Sequence, residues 1–184
     1  MMTFFSEFRV SGFKRREICM KKQLLLRNMT SIYLLQQDKI LLLYRQGSNV
    51  VNNVWIGSAG GHFEKSELNS PKTCVLRELN EELSITEDMI DNLQLRYLTM
   101  RRVKNEIRQN YYFFANLKDM PERELASNEG VLKWFNLNEV TDLEMPFSAK
   151  YMMEHYLKSG QYNNDIYVGV ADGSKVVFTE LQEF

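Results

Sequence analysis

The stretch of sequence that decides the fold consists of two segments, Gly60-Gly61-His62-Phe63-Glu64-Lys65-Ser66-Glu67 and, after nine further residues, Arg77-Glu78-Leu79-Asn80-Glu81-Glu82-Leu83-Ser84-Ile85. Between them, Ser70 and Pro71 predict the start of a helix, because serine is a favoured N-cap and proline at the first helical position loses no needed hydrogen bond. Val75, Leu79 and Leu83 then recur at every fourth position. This spacing gives the predicted helix one apolar stripe that faces a core.

The predicted helix also carries three carboxylates beside its apolar stripe. Glu78, Glu81 and Glu82 stand at i, i+3 and i+4, and therefore share an arc of roughly 100° of helix surface. Like charges this close repel each other by roughly a few tenths of a kcal/mol per pair, and a bound cation would relieve that repulsion. A set of oxygen donors suits a hard cation such as Mg²⁺ or Mn²⁺. On its own, however, the pattern favours a solvated acidic helix face.

A pair of glycines precedes this helix. Gly60 and Gly61 come soon after Trp55-Ile56, which predicts a short strand. Glycines at such a place let the backbone approach a phosphate or a metal, and their amides and carbonyls can act as ligands. A simple tight turn is the alternative interpretation of the pair.

Taken together, these features resemble the Nudix box, which reads G, five residues, E, seven residues, then R-E-U-x-E-E-x-G-U, with U a bulky aliphatic residue. Gly61 and Glu67 have the required spacing, and six further positions fit: Arg77, Glu78, Leu79, Glu81, Glu82 and Ile85. Two departures stand out. The gap between Glu67 and Arg77 is nine residues, which we interpret as a loop insertion before the helix, and Ser84 replaces the last glycine. We expect Ser84 to adopt the left-handed conformation at modest cost. The resemblance covers about residues 25–158.

The resemblance implies a metal site on the box helix. Glu78, Glu81 and Glu82 would bind one to three divalent cations, with the carbonyl of Gly60 as a further ligand. Mg²⁺ is the expected cofactor and Mn²⁺ the alternative. Glu78 is also a candidate base for the attacking water.

The resemblance implies further roles around this helix. Arg77 and Glu67 would pair and hold the loop against the helix, as residues that support metal ligands do. Glu129 is the best match for an additional catalytic acid, although an ordinary loop glutamate is an equal alternative. Gly60, Gly61, His62 and Glu67 form the candidate substrate-binding set. For His62, a loop histidine without a role is the favoured interpretation.

Strand signals dominate the rest of the chain. Hairpins are predicted at 30–44, 95–116 and 166–181, the last around Asp172-Gly173, and a second helix at 148–157. This mixture indicates an α+β or mixed α/β fold. The resemblance implies a mixed β-sheet sandwiched between α-helices, with an extra C-terminal hairpin at 164–184. We predict one domain over residues 20–184, and interpret residues 1–19 as an N-terminal extension that is either upstream translation or dispensable.

The composition excludes several classes of protein. The chain has 184 residues and a formal net charge of −1, so we expect no general attraction to nucleic acid and interpret basic pairs such as Arg101-Arg102 as solvated surface. No apolar run approaches the roughly 20 residues that a membrane span needs. Cys19 and Cys74 form no disulfide framework, and Cys74 is predicted to be a core residue. We therefore expect a cytoplasmic protein that is either a monomer or a homodimer.

The predicted function is hydrolysis of a pyrophosphate bond in a nucleoside diphosphate linked to another moiety. The substrates weighed are NTPs or dNTPs, including oxidised ones, and ADP-ribose or nucleotide sugars. Ala149 stands where enzymes that clear oxidised guanine nucleotides carry an asparagine, which weakens the 8-oxo-dGTP reading. The alternatives are a Nudix-type module that senses a nucleotide without cleaving it, and a structural domain whose acidic helix binds nothing.

Overall fold

The computed structural model describes residues 23–46, 53–118 and 125–184, so the interpretation of residues 1–19 as an extension lies outside the described residues. The strands are β1 Leu25–Gln36, β2 Lys39–Arg45, β3 Val54–Ile56, β4 Ile90–Val103, β5 Glu106–Leu117, β6 Gly130–Asn136, β7 Tyr167–Ala171 and β8 Val176–Glu180. The α-helices are α1 Pro71–Leu83 and α2 Phe147–Lys158. Short 3-10 turns lie at Lys65–Glu67, Glu87–Met89, Leu137–Asp142 and Gly160–Tyr162. Neither described α-helix is long and apolar enough to cross a membrane.

The strands form one mixed sheet in the order β3-β2-β1-β5-β4-β7-β8, with β6 paired to β2. The pairs β1–β5 and β4–β7 are parallel, and the other pairs are antiparallel. The longest uninterrupted pairing is β1–β5, which runs from Leu25 opposite Glu106 to Leu35 opposite Asn116. The predicted mixed sheet is therefore confirmed.

The sheet lies between the two helices because side chains alternate between its faces along each strand. On β1, Ile32 and Leu34 pack into the cluster that contains Val75 and Leu79 of α1. Tyr33, between them, packs into the cluster that contains Met152 and other residues of α2. The apolar stripe predicted for the box helix is buried, and so is Cys74. The sandwich of a sheet between helices is confirmed.

The start of α1 differs in detail from the prediction. Pro71 is the first helical residue, and the Ser70 backbone occupies the N-cap position. The Ser70 side chain does not cap the helix, however, because its hydroxyl shares a hydrogen bond with the Thr73 hydroxyl (2.6 Å). The end agrees with the prediction: Ser84 has φ 53° and ψ 34°, and its N–H donates to the Asn80 carbonyl (2.9 Å).

The C-terminal hairpin β7–β8 extends the sheet. Tyr167 of β7 lies opposite Tyr97 of β4, and β8 forms the outer edge beyond it. The turn between the two strands is held by Asp172, whose carboxylate accepts hydrogen bonds from the Ser174 and Lys175 amides (2.9 Å each). Gly173 completes the turn with φ +98°. The extra hairpin predicted from Asp172-Gly173 is therefore present.

Candidate active site

The glycine loop runs beside β1 and is fixed to it by backbone hydrogen bonds. Ile32 N–H donates to the Ala59 carbonyl (2.9 Å), and Thr30 N–H donates to the Gly61 carbonyl (2.8 Å). A side chain at Gly60 would place its Cβ 2.3 Å from the Thr30 carbonyl oxygen, and one at Gly61 would place it 2.2 Å from Glu78 Oε1. Gly60 is therefore required for the close approach to β1, whereas a side chain at Gly61 would displace a carboxylate of the box helix.

Arg77 and Glu67 join the loop to the helix through a two-point ion pair. Arg77 Nε donates to Glu67 Oε1 (2.8 Å), and Arg77 Nη2 donates to Glu67 Oε2 (2.9 Å). Arg77 Nη2 also donates to the His62 carbonyl (3.1 Å). Glu67 is buried, and the hydrogen bonds from Arg77 lower its pKa to about 2. The insertion before α1 projects Leu68, which is 56% exposed, and leaves this pairing intact.

The three box carboxylates occupy different environments. Arg77 Nη1 donates to both Glu78 (2.9 Å) and Glu81 (3.0 Å). Glu81 is exposed, whereas Glu78 and Glu82 are half-buried. Glu82 Oε2 accepts a hydrogen bond from the Gly60 amide (3.1 Å). The loop and the helix thus bring Gly60 and the box acids together.

Burial raises the pKa of both half-buried carboxyls. The pKa of Glu82 rises to about 8, first through desolvation and then through the charge of Glu129. The pKa of Glu78 also rises through desolvation, which outweighs the stabilising contact with Arg77. Both carboxyls therefore keep their neutral form up to a higher pH than a solvated glutamate does. A cation bound at this place would favour the ionised forms.

The residues present fit a divalent cation by their chemistry. The donors around Gly60 are oxygens, which Mg²⁺ and Mn²⁺ prefer. In the described ranges, no three His, Cys, Asp or Glu side chains already converge as a metal centre. The reason is visible in the contacts: Arg77 holds Glu78 and Glu81, and Glu82 is turned to the Gly60 amide. Each of these contacts engages one of the two oxygens of its carboxylate.

Glu129 lies within electrostatic reach of the box acid Glu82 although it is distant in sequence. It stands just before β6, and the Gly130–Arg45 pairing of β6 with β2 fixes its position. Its carboxylate forms an ion pair with Arg45 (3.2 Å). Its charge contributes to the raised pKa of Glu82, so the two carboxylates are within electrostatic reach of each other. The structure thus brings the acid predicted from the resemblance to the box.

His62 is tied to an arginine of β1. Arg27 Nε donates to His62 Nε2 (2.6 Å), so this ring nitrogen is an acceptor. Desolvation and the positive charges of Arg27, Arg45 and Arg108 lower the pKa of His62. The imidazole is therefore neutral at neutral pH. It orients Arg27 and supplies no positive charge of its own.

A cavity of about 130 Å³ opens beside Gly60 on the α2 face of the sheet. Its wall includes Arg27, Tyr33, Arg45, Arg101, Arg108 and Ser148. The expectation that Arg101 is solvated surface is wrong: Arg101 is half-buried in this wall, whereas its neighbour Arg102 is exposed. The strand pattern around Arg101 and Arg102 indicates that these neighbours point to opposite faces, but the sequence does not say which face is covered.

Comparison with known proteins agrees with this architecture. The family model described as NUDIX domain matches residues 25–156, so the chain belongs to the Nudix family. It is therefore a Nudix hydrolase, one of the pyrophosphohydrolases that act on small nucleotide compounds and generally use divalent metals. A search of curated proteins gave no match.

Solved structures show the same fold. The mMutator MutT protein from Bacillus halodurans superposes with a TM-score of 0.58 at 22% identity, covering 84% of this chain and 97% of that one. The E. coli ORF135 protein gives a TM-score of 0.59 at 19% identity, covering 76% and 94%. A C. elegans Ap4A hydrolase gives 0.56 at 15% identity, covering 76% and 99%. At these levels of sequence identity the solved structures show the shared fold, and the substrate has to be inferred from the site of this chain.

Proposed function

We propose that this Nudix hydrolase is Mg²⁺-dependent and cleaves the pyrophosphate bond of a nucleoside diphosphate linked to another moiety. The observation that carries the proposal is the pair of half-buried carboxylates Glu78 and Glu82, whose pKa values are raised, against the glycine loop. The loop and the helix hold these oxygens together before a ligand binds, and a bound cation would favour the ionised forms of both acids.

The proposed ligands are the carboxylates of Glu78, Glu81 and Glu82 and the carbonyl of Gly60. When bound, the cation neutralises charge on the pyrophosphate and lowers the pKa of water. The Gly60 amide holds Glu82 in place, at 3.1 Å. The chain's own contribution is thus a set of oxygen donors fixed by one loop and one helix.

In the proposed reaction, water attacks one phosphorus while the bridging P–O bond breaks. Glu78 is the candidate base that accepts the proton of the water, and Glu129, whose charge acts on Glu82, is the second candidate. Arg77 positions Glu78 and Glu81, and Glu67 positions Arg77. Gly61 leaves space for the Glu78 carboxylate. The products are a monophosphate and the remaining phosphorylated moiety.

The test is product release from a nucleotide panel in the presence of Mg²⁺. The panel contains dNTPs, 8-oxo-dGTP, ADP-ribose, nucleotide sugars and dinucleoside polyphosphates. We compare the wild type with the double variant Glu81→Gln, Glu82→Gln. The control is Glu87→Gln, which changes an exposed carboxylate that pairs with Lys72 outside the box. Turnover that is lost in the double variant and kept in the control supports the proposal; equal turnover in both contradicts it.

A nucleotide-binding module that does not cleave is the second candidate. It is favoured by the contacts of Arg77 with Glu78 and Glu81, which occupy two of the proposed metal donors. Calorimetry with and without Mg²⁺ measures binding of the panel compounds. Binding without product release would favour the non-cleaving module over the hydrolase.

A further inference from the structure

Three arginines stand side by side across the centre of the sheet. Arg27 of β1 lies opposite Arg108 of β5, and Arg108 lies opposite Arg101 of β4. Residues at paired positions of neighbouring strands project from the same face. All three side chains line the cavity described above. We call Arg27, Arg108 and Arg101 the arginine row.

The positive charge of the arginine row is only partly balanced. Glu106 is the carboxylate that pairs with it, at 3.0 Å from Arg108 Nε and 4.0 Å from Arg27 Nη1. Arg101 forms no ion pair with a described residue, and its buried Nε has no hydrogen-bond partner among the described residues. Burial and the charge of Arg108 lower the pKa of Arg101. Since like charges directly opposite each other destabilise a sheet, this row costs free energy unless an anion binds to it.

A buried hydroxyl in the same cavity also lacks a partner. Ser148 is 4% exposed and lines the cavity, and its hydroxyl makes no hydrogen bond within the described part of the chain. A buried hydroxyl without a partner costs about 1–3 kcal/mol, a cost that a polar ligand group would remove. The cavity therefore combines excess positive charge with unused hydrogen-bonding groups.

The cavity adjoins the proposed hydrolytic site. Gly60 lines the cavity, and its amide binds the Glu82 carboxylate (3.1 Å). Arg45 also lines the cavity, and it pairs with Glu129 (3.2 Å). A substrate whose pyrophosphate lies at the box acids would therefore extend one of its ends into the cavity.

We infer that this cavity binds the end of a substrate that carries a second anionic group, a phosphate or a carboxylate, separate from the pyrophosphate that is cleaved. The inference rests on the proposed function for the identity of the cleaved bond. It narrows the substrates to nucleoside diphosphate compounds with an additional anion on the sugar or on the linked moiety. The guanidinium groups of the arginine row would bind that anion through charge-assisted hydrogen bonds.

The test compares matched compounds that differ by one anion. The first pair is an adenine–nicotinamide dinucleotide with and without a 2′-phosphate. The second pair compares the dinucleotide that contains nicotinic acid, which carries a carboxylate, with the one that contains nicotinamide, which does not. We expect the wild type to cleave one member that carries the additional anion with about tenfold higher kcat/KM than the partner that lacks it. The pair that shows the preference identifies phosphate or carboxylate as the recognised group.

Variants of the row make the test specific. Arg101→Gln and Arg108→Gln should each reduce the preference toward unity, and the loss should reside in KM. Arg102→Gln, which changes the exposed neighbour of Arg101, should keep the preference. Arg101→Gln should melt no lower than the wild type without ligand, because it removes repulsion within the row. If Arg101→Gln melts much lower than the wild type, its loss of preference has a structural cause, and the preference of Arg108→Gln is used to test the inference.

The outcomes separate this inference from the proposed function. Cleavage of both members of each pair at equal efficiency overturns the inference and leaves the proposed function standing. Arginine-dependent binding of an anionic member without cleavage, measured by calorimetry, supports the subsite and favours the non-cleaving module over the proposed function. If these dinucleotides are neither cleaved nor bound, the inference is overturned, and the nucleotide panel decides the proposed function.

Discussion

At the scale of single residues, the site depends on the absence of a side chain at Gly61. The Glu78 carboxylate occupies the space in which a Cβ atom of residue 61 would lie. A Cβ atom at residue 61 would force this carboxylate to move from its present position. The glycine at position 61 of the box therefore has a steric explanation.

We predict that Gly61→Ala lowers kcat by about 100-fold while the protein remains folded, because the new Cβ would lie 2.2 Å from Glu78 Oε1 and displace that group. Hydrolysis rates and thermal melting would be measured together. Gly173→Ala is the matched control, since residue 173 has open space around it and φ +98°. It should cost about 1 kcal/mol of stability with kcat unchanged. Normal activity in Gly61→Ala would contradict the steric argument.

A second prediction concerns Glu67 and acid stability. Its pKa is lowered from 4.5 to about 2 in the folded protein. A lowered carboxyl pKa stabilises the fold above the unfolded pKa, and this stabilisation is lost as the pH falls from about 4.5 to 2. Such a difference corresponds to about 3 kcal/mol. Urea unfolding should therefore show Glu67→Gln less stable at pH 7, with the gap closing toward pH 2. A constant gap would show that charge is not the cause.

At the scale of elements, the local features could be predicted and the long-range pairings could not. The hairpins and both helices follow from turn residues and apolar periodicity, which act over a few positions. The arginine row arises because β1 pairs in parallel with β5, and no local signal specifies that partner. For the same reason, Arg101 was expected at the surface and is found in a cavity wall.

The end of α1 gives the prediction at this scale. Ser84 terminates the helix with φ 53°, a region that disfavours residues with a Cβ atom. Ser84→Gly should relieve that strain and raise the free energy of unfolding by about 0.5 kcal/mol after the entropy cost of glycine. Equilibrium urea unfolding measures the change, with Ser84→Ala as the control that should gain nothing. A loss of stability in the glycine variant would show that the serine side chain contributes more than the strain costs.

At the scale of the whole molecule, the net charge of −1 conceals a division of charge. The box acids lie at one side of the Gly60 loop, and the arginine row lies in the cavity at the other. This division suits a ligand complex that presents both a cation and an anion. Composition alone cannot reveal it, because opposite charges cancel in the sum.

Metal binding should be visible in the stability of the whole protein. Because a cation would bind the folded protein and relieve the repulsion among the box acids, Mg²⁺ should raise the melting temperature of the wild type, and EDTA should reverse the rise. The double variant Glu78→Gln, Glu82→Gln should melt at the same temperature with and without Mg²⁺. Glu87→Gln should respond as the wild type does. An equal response in the double variant would place the cation elsewhere.

The parallel pairing of β1 with β5 has a consequence for the way the protein reaches its folded state. It joins Leu25 to Glu106, about 80 positions away, and the glycine loop and box helix lie within the segment that it closes. Such non-local closure is slow compared with helix formation. During refolding, helical circular dichroism should therefore recover before hydrolysis does. On the ribosome, the catalytic centre would be assembled only after β5 has emerged.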